Sequence, residues 1–222
     1  MIDLGPLLLS FEVAAVATCL ASALGVAVAG ILTLPRIWGR EFIDAAITAP
    51  MVLPPTVLGY YLLVLLGRES AIGHAFEVLF GSPIVFTRIG AVIAAAIGAL
   101  PLITKAARAA LEGVDATFVG AARTLGASST RAFFTVSLPL ARRGIAAGVM
   151  LGFARALGDF GVTLMVAGNI PGQTRTASLA IYDAVLSGRD ADATQLALIM
   201  TALAMVVLIG AGYLTQRRAS GF

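Results

Sequence analysis

Apolar residues in this chain come in long blocks rather than in the alternation of a strand or the one-sided stripe of a soluble surface helix. Residues 11–34, 45–66, 84–103, 144–166 and 196–214 form five such blocks. Each is close to or above the roughly 20 residues that a helix needs to cross a bilayer core. The pattern predicts an all-α integral membrane protein of about five transmembrane helices, forming a single domain over residues 1–222. The first block runs into Pro35, Arg36 and Trp38, a basic and interfacial boundary. No Lys or Arg precedes Arg36, so the N-terminus lacks the positive region of a secretory signal and the first block is expected to remain as a span.

Within the blocks, the polar and helix-breaking positions carry the information. The second block contains Pro50, Pro54 and Pro55. Backbone carbonyls freed there cannot be satisfied by lipid, which predicts either an unwound segment beside a substrate path or a helix that begins at Pro54. In the third block Gly90, Ala94 and Gly98 form a small-residue ladder of the kind that lets helices approach closely, and Arg88 near its outer end is expected to snorkel to the headgroups. In the fourth, Gly144, Gly148 and Gly152 line one face, and Arg155 and Asp159 continue that stripe. Ionisable groups inside a span are costly and face a bundle interior or a wet cavity. The pair therefore either lines a path, together with Gly158 and Gly161, or neutralises itself as an i, i+4 staple.

Between the blocks lie three segments. Residues 67–83 read as a connecting loop, whose solvated His74 is a poor candidate for a ligand or a base. Residues 167–195 open on the turn signal Gly168, Asn169, Ile170, Pro171 and Gly172. They continue with an amphipathic helix over residues 174–187, with Leu179, Tyr182, Val185 and Leu186 on one side, too short to span and so re-entrant or interfacial. Residues 105–143 carry Lys105, Arg108, Glu112, Asp115, Arg123, Arg131, Arg142 and Arg143, a charge density that places them in water. Phe118, Ala122 and Leu125 share one face of a short helix that Gly126 can end. Ser128 or Ser129 can cap a second helix bearing Phe133, Phe134 and Val136, closed by Pro139. A helix, glycine, helix knob between two spans is a docking device.

Charge then orients the chain. With the knob in the cytoplasm, Arg36, Arg40, Lys105, Arg108, Arg123, Arg131, Arg142, Arg143, Arg217 and Arg218 lie inside, against Arg68, Arg88, Arg175 and Arg189 outside. Five spans then put the N-terminus outside and the C-terminus inside. The net charge of +3 and pI near 9.5 do not indicate nucleic acid, because the basic residues cluster in loops between apolar blocks. A chain of 222 residues with 59% hydrophobic and 12% charged residues and a mean hydropathy of +0.97 is an integral membrane protein on composition as well. The single Cys19 can form no intrachain disulfide and reads as a small packing residue.

The spacing Ala121, Ala122, three residues, Gly126, nine residues, Val136, one residue, Leu138, Pro139 resembles the EAA signature of ABC-importer permeases. Gly120 stands where that family most often has glutamate, and Val136 where isoleucine is common. The resemblance implies a type I importer permease, whose loop of Gly120, Ala121, Ala122, Leu125, Gly126, Phe133, Phe134, Val136, Leu138 and Pro139 sits in a groove of an ATPase subunit. Residues 154–183 resemble the matching stretch of molybdate permeases, within a molybdate, tungstate and sulfate branch.

The resemblance further implies a homodimer in a bacterial or archaeal cytoplasmic membrane, served by two ATPase copies and by a periplasmic or lipid-anchored molybdate-binding protein. ATP and Mg would be held by the ATPase and no cofactor by this chain. The sequence itself contains no GxxxxGK[ST] loop, HExxH or CxxC, so it is not expected to be an enzyme. It also ends soon after the fifth block, so a regulatory domain of its own is not expected. The competing class is an ion-coupled secondary transporter of a small anion, which would be expected to show paired repeats and midplane ionisable ligands. Only Arg155 and Asp159 qualify as such ligands, and no internal repeat is apparent. The proline break at Pro54 and Pro55, with Arg155, Gly158, Asp159 and Gly161, is the candidate translocation path.

Overall fold

The computed structural model describes residues 3–34 and 38–216, and among them there are helices and no strand. Arg36, Arg217 and Arg218, which enter the charge balance across the membrane, lie outside the described residues. The first helix, α1 (Gly5–Leu32), starts earlier than its apolar block because Asp3 Oδ1 accepts from the Gly5 N–H at 2.9 Å and Pro6 presets the first turn. Cys19 lies on an exposed face of α1 and is not a packing residue.

The second block is two helices, α2 (Arg40–Val52) and α3 (Pro55–Leu66), bent by 115° at extended Leu53 and Pro54. Residues 67–83 are not a plain loop. They contain α4 (Ala71–Phe80), capped by Ser70 Oγ accepting from Gly73 N at 2.9 Å and ended by left-handed Gly81.

The third span, α5 (Arg88–Glu112), continues nine residues beyond the expected end at Ile103. A helix satisfies its own backbone whatever its side chains are, and Lys105, Arg108 and Glu112 meet charged partners on α2. Next come α6 (Ala116–Thr124), α7 (Ser129–Ala132), a π turn (Phe133–Ser137) and α8 (Leu138–Leu157). The segment between the long helices α5 and α8 is therefore residues 113–137 rather than 105–143, and it is itself largely helical. The expected fourth span over 144–166 is broken: α8 ends at Gly158, and α9 (Gly161–Ala167) is separate. Helix α10 (Ala177–Leu186) buries Leu179 but exposes Tyr182, Val185 and Leu186, so these four do not share one environment. The last helix, α11 (Asp190–Gln216), begins six residues before the expected 196.

At the centre α5 packs against α1, α2, α8 and α9. Small residues set these approaches, as expected where lipid competes for apolar surface and close packing has to hold helices together. A Cβ on Gly144 would lie 2.6 Å from Ala110 Cβ; Gly148 abuts Ala106 and Gly152 abuts Ile103, so the glycine face of α8 is its seat on α5. Gly25 of α1 is fitted equally closely against Thr104, at 2.9 Å. Arg88 donates to the carbonyls of Gln173 and Gly172 at 3.2 and 3.3 Å and pairs with Glu12. The start of α10 is tied to α1 by Ala177 N–H donating to buried Ser10 Oγ at 2.7 Å.

Candidate functional site

The knob forms where its punctuation residues stand. Asp115 Oδ1 accepts from Thr117 N at 2.8 Å to start α6, and the backbone and side-chain hydrogen bonds from Thr117 hold its carboxyl below the ordinary range. At the other end Gly126 has φ +87°, Gly126 N–H donates to the Arg123 carbonyl and Ala127 N–H to the Ala122 carbonyl, both at 3.0 Å. These are the paired bonds of a Schellman cap. Ser128, not Ser129, caps α7, accepting from Arg131 N at 3.2 Å.

Phe118, Leu125 and Phe134 are offered outward, with Leu125 89% exposed; Gly120 and Ala121 are exposed and Ala122 is half-buried. Phe133 does the opposite: its ring lies 2.9 Å from the Cβ position of Gly30 and fastens the knob to α1. Val136 and Leu138 are half-buried beside it. Pro139 does not close the second helix. It sits in the first turn of α8, and the widened π turn before it absorbs the missing hydrogen bond, so the chain stays helical from Ser129 through Leu157.

The other site lies where two spans break. Pro55 begins α3, and a Cβ on Gly161 would fall 2.8 Å from Pro55 Cβ; Gly59 meets Met165 Cβ at 2.6 Å. The breaks at 53–54 and 158–160 therefore lie side by side, with α3 and α9 as two packed half-helices. Asp159 stands outside α8 but still reaches Arg155, with Oδ1 2.9 Å from Nη1. Its Oδ2 accepts from Thr163 N at 3.0 Å and Thr163 Oγ1 at 2.6 Å. Asp159 is thus buried and fully engaged, and it caps the first turn of α9.

Arg155 has 35% of its side chain exposed and lies 3.4 Å from the Cβ position of Gly98, a glycine that leaves it room. Gly98 is ten residues into α5, about 15 Å from its N-terminal end at 1.5 Å per residue, which sets Arg155 near mid-bundle. The chemistry on offer is one hydrogen-bonding cation held beside two backbone breaks. Thr163, Gly59 and Gly98 belong to this site and were missed as its members. The four-residue step from Asp159 to Thr163 across a glycine was the signal for the cap. Among the described residues no group of three His, Cys, Asp or Glu side chains could hold a metal.

A long-helix bundle with a charged end, a Gly-capped knob and paired helix breaks is the anatomy of a membrane permease. The chain matches the family described as binding-protein-dependent transport system inner membrane component over residues 21–220, and it belongs to that family. It is therefore a multi-pass inner-membrane transport component. It is 42% identical over 210 residues to the molybdenum transport system permease protein ModB of Escherichia coli K12, covering 94% of this chain and 92% of that one. A putative molybdenum transport system permease protein of Bacillus subtilis, YvgM, is 43% identical over 185 residues, covering 83% and 82%. Its fold is similar to that of the inward-facing MetNI methionine ABC transporter, with a TM-score of 0.76 at 14% identity, covering 96% of this chain and 94% of that one.

Proposed function

We propose that this chain is the permease subunit of an ATP-driven importer that carries molybdate into the cytoplasm from a molybdate-binding protein. It works as a homodimer with two ATPase copies that hold the ATP and Mg, and it binds no cofactor itself. The near full-length likeness to relatives named for molybdenum transport carries the substrate reading. The mechanical reading rests on the knob: α5 and α8 flank it and run as unbroken helices to the region of the two breaks. Closure of the ATPase dimer would draw the knobs of the two copies together, and α5 and α8 would transmit that movement to the half-helices α3 and α9. Arg155 then lowers the cost of passing a dianion. A secondary transporter is not favoured, because the chain belongs to the family of binding-protein-dependent transport systems and its near full-length relatives are named as permeases of transport systems.

The test is uptake of molybdate into proteoliposomes containing permease and ATPase, with binding protein outside and ATP inside. Uptake that needs all three proteins and ATP supports the reading; uptake driven by an ion gradient without ATPase overturns it. In the same vesicles Arg155→Gln is expected to slow transport about tenfold or more, if a desolvated cation is worth roughly 1.4 kcal/mol or more to a passing dianion. Assembly should survive, since Asp159 keeps both bonds from Thr163. Unchanged rates at limiting molybdate would make Arg155 a staple only.

The knob faces the cytoplasm in this reading, with the N-terminus outside. Ser128 and Ser187 are both exposed. In a Cys19→Ala background, single cysteines at these two positions are expected to react with an impermeant maleimide from opposite sides. Labelling of both from outside would reverse the topology.

A further inference from the structure

Helix α2 is the least anchored of the longer helices. None of its residues is buried, and Trp38 and Phe42 at its start are 100% and 79% exposed. Its apolar packing is limited to half-buried residues such as Ile43, Ile47 and Pro50. The helix rests on α5 through a ladder of charges: Arg40 Nη2 is 3.0 Å from Glu112 Oε1, Asp44 Oδ1 is 3.2 Å from Arg108 Nη1, and Asp44 Oδ2 is 4.0 Å from Lys105 Nζ. Arg108 Nε also bonds Glu112 at 2.8 Å, which fixes the middle rung.

Arg40 and Asp44 are one turn apart and of opposite sign, so they lie on one face. A slip of α2 by one turn would set Arg40 against Arg108 and Lys105, so the ladder specifies a register as well as a contact. These side chains are between 25% and 48% exposed, and ion pairs of that exposure are individually weak. Such pairs can open and close within a working cycle. Asp159, with its carboxylate only 2% exposed, is held too firmly for that.

The ladder also stands between the knob and the paired breaks. On the α5 side Glu112 is three residues from Asp115, which caps the knob. On the other side α2 leads directly to the 115° bend at Leu53 and Pro54, beyond which α3 packs on α9. We propose that Asp44, facing Lys105 and Arg108 together, is the positioning residue of a charge latch through which movement of the knob and α5 carries α2 and turns the chain at the Pro54 bend. The latch rests on the importer reading for its role, and on geometry alone for its existence.

Two measurements test these separately. Spin labels at exposed Ala46 and Ala109, in full-length permease with Cys19→Ala, report the α2 to α5 distance. The wild-type distribution should be narrow, Asp44→Asn should broaden it, and Asp44→Glu should restore it. A distribution unchanged by Asp44→Asn overturns the latch. In the reconstituted complex, Asp44→Asn should lower the stimulation of ATPase activity by molybdate-loaded binding protein about fivefold or more, with rescue by Asp44→Glu. Full stimulation in Asp44→Asn overturns its part in coupling. Equal loss in both variants would mark a packing defect and also overturn the latch. Absence of stimulation in the wild-type complex would overturn the importer reading itself, whatever the labels report.

Discussion

Gly126→Asp is expected to leave the permease folded while abolishing, in the proposed complex, the stimulation of ATPase activity by loaded binding protein, and molybdate uptake with it. Gly126 sits at φ +87° with nothing within 4 Å of a Cβ. The obstacle to a side chain is thus backbone conformation and not a clash inside the chain. A left-handed position costs a non-glycine residue about 1 kcal/mol or more. That is small against a helix bundle but large for a nine-residue helix whose end is held by two hydrogen bonds at that glycine. Leu125 and Phe118, the exposed apolar residues of the C-cap and body of α6, would leave their fixed positions, and in the proposed complex the knob would no longer fit the ATPase. The measurement is ATPase rate with and without loaded binding protein, alongside size-exclusion behaviour of the complex. Stimulation equal to wild type would mean that the knob is not the coupling element.

Asp159→Ala is expected to have the largest effect on stability. The substitution removes Oδ2, which accepts both hydrogen bonds from Thr163, leaving the first turn of α9 uncapped, and deprives Arg155 of its partner. Loss of one partner from a buried pair costs about 3 to 5 kcal/mol, and the lower end applies because Arg155 retains some exposure. Asp159→Asn keeps an acceptor for Thr163 and should cost less. Yield and thermal midpoint of the detergent-purified permease should fall in the order wild type, Asp159→Asn, Asp159→Ala. If Asp159→Ala proves as stable as Asp159→Asn, the cap on α9 contributes nothing measurable.

The long apolar helices were legible because an apolar block of bilayer length has few other uses: among the described residues four are long and apolar enough to cross a membrane, or five if the bent pair α2 and α3 is one span. The knob was legible because Asp115, Gly126 and Ser128 act on neighbours within two to five residues, and such bonds depend on little beyond the local chain. The proline break was legible for the same reason, since a proline alters its own turn. Helix ends were not. Hydropathy placed the end of α5 at Ile103 and the start of α11 at 196, but backbone hydrogen bonds continue through polar residues wherever those side chains find partners, and the partners of Lys105, Arg108 and Glu112 are on α2.

Tertiary structure alone decided which side chains meet. It turned Phe133 inward onto Gly30 while leaving Phe134 exposed, although the two are adjacent. It made Pro139 the opening of α8 by widening the turn before it. It also set Pro55 against Gly161, so that two breaks more than a hundred residues apart became one site, and it supplied Asp44 with cationic partners that lie more than sixty residues away in the chain. The sequence by itself determined where long apolar segments lie and where capping and breaking residues turn the chain, because those are properties of a few consecutive residues in a given solvent. Which breaks, charges and glycines share a site was decided by the packing of long helices around α5, since contacts between distant residues exist only once those helices have chosen their neighbours.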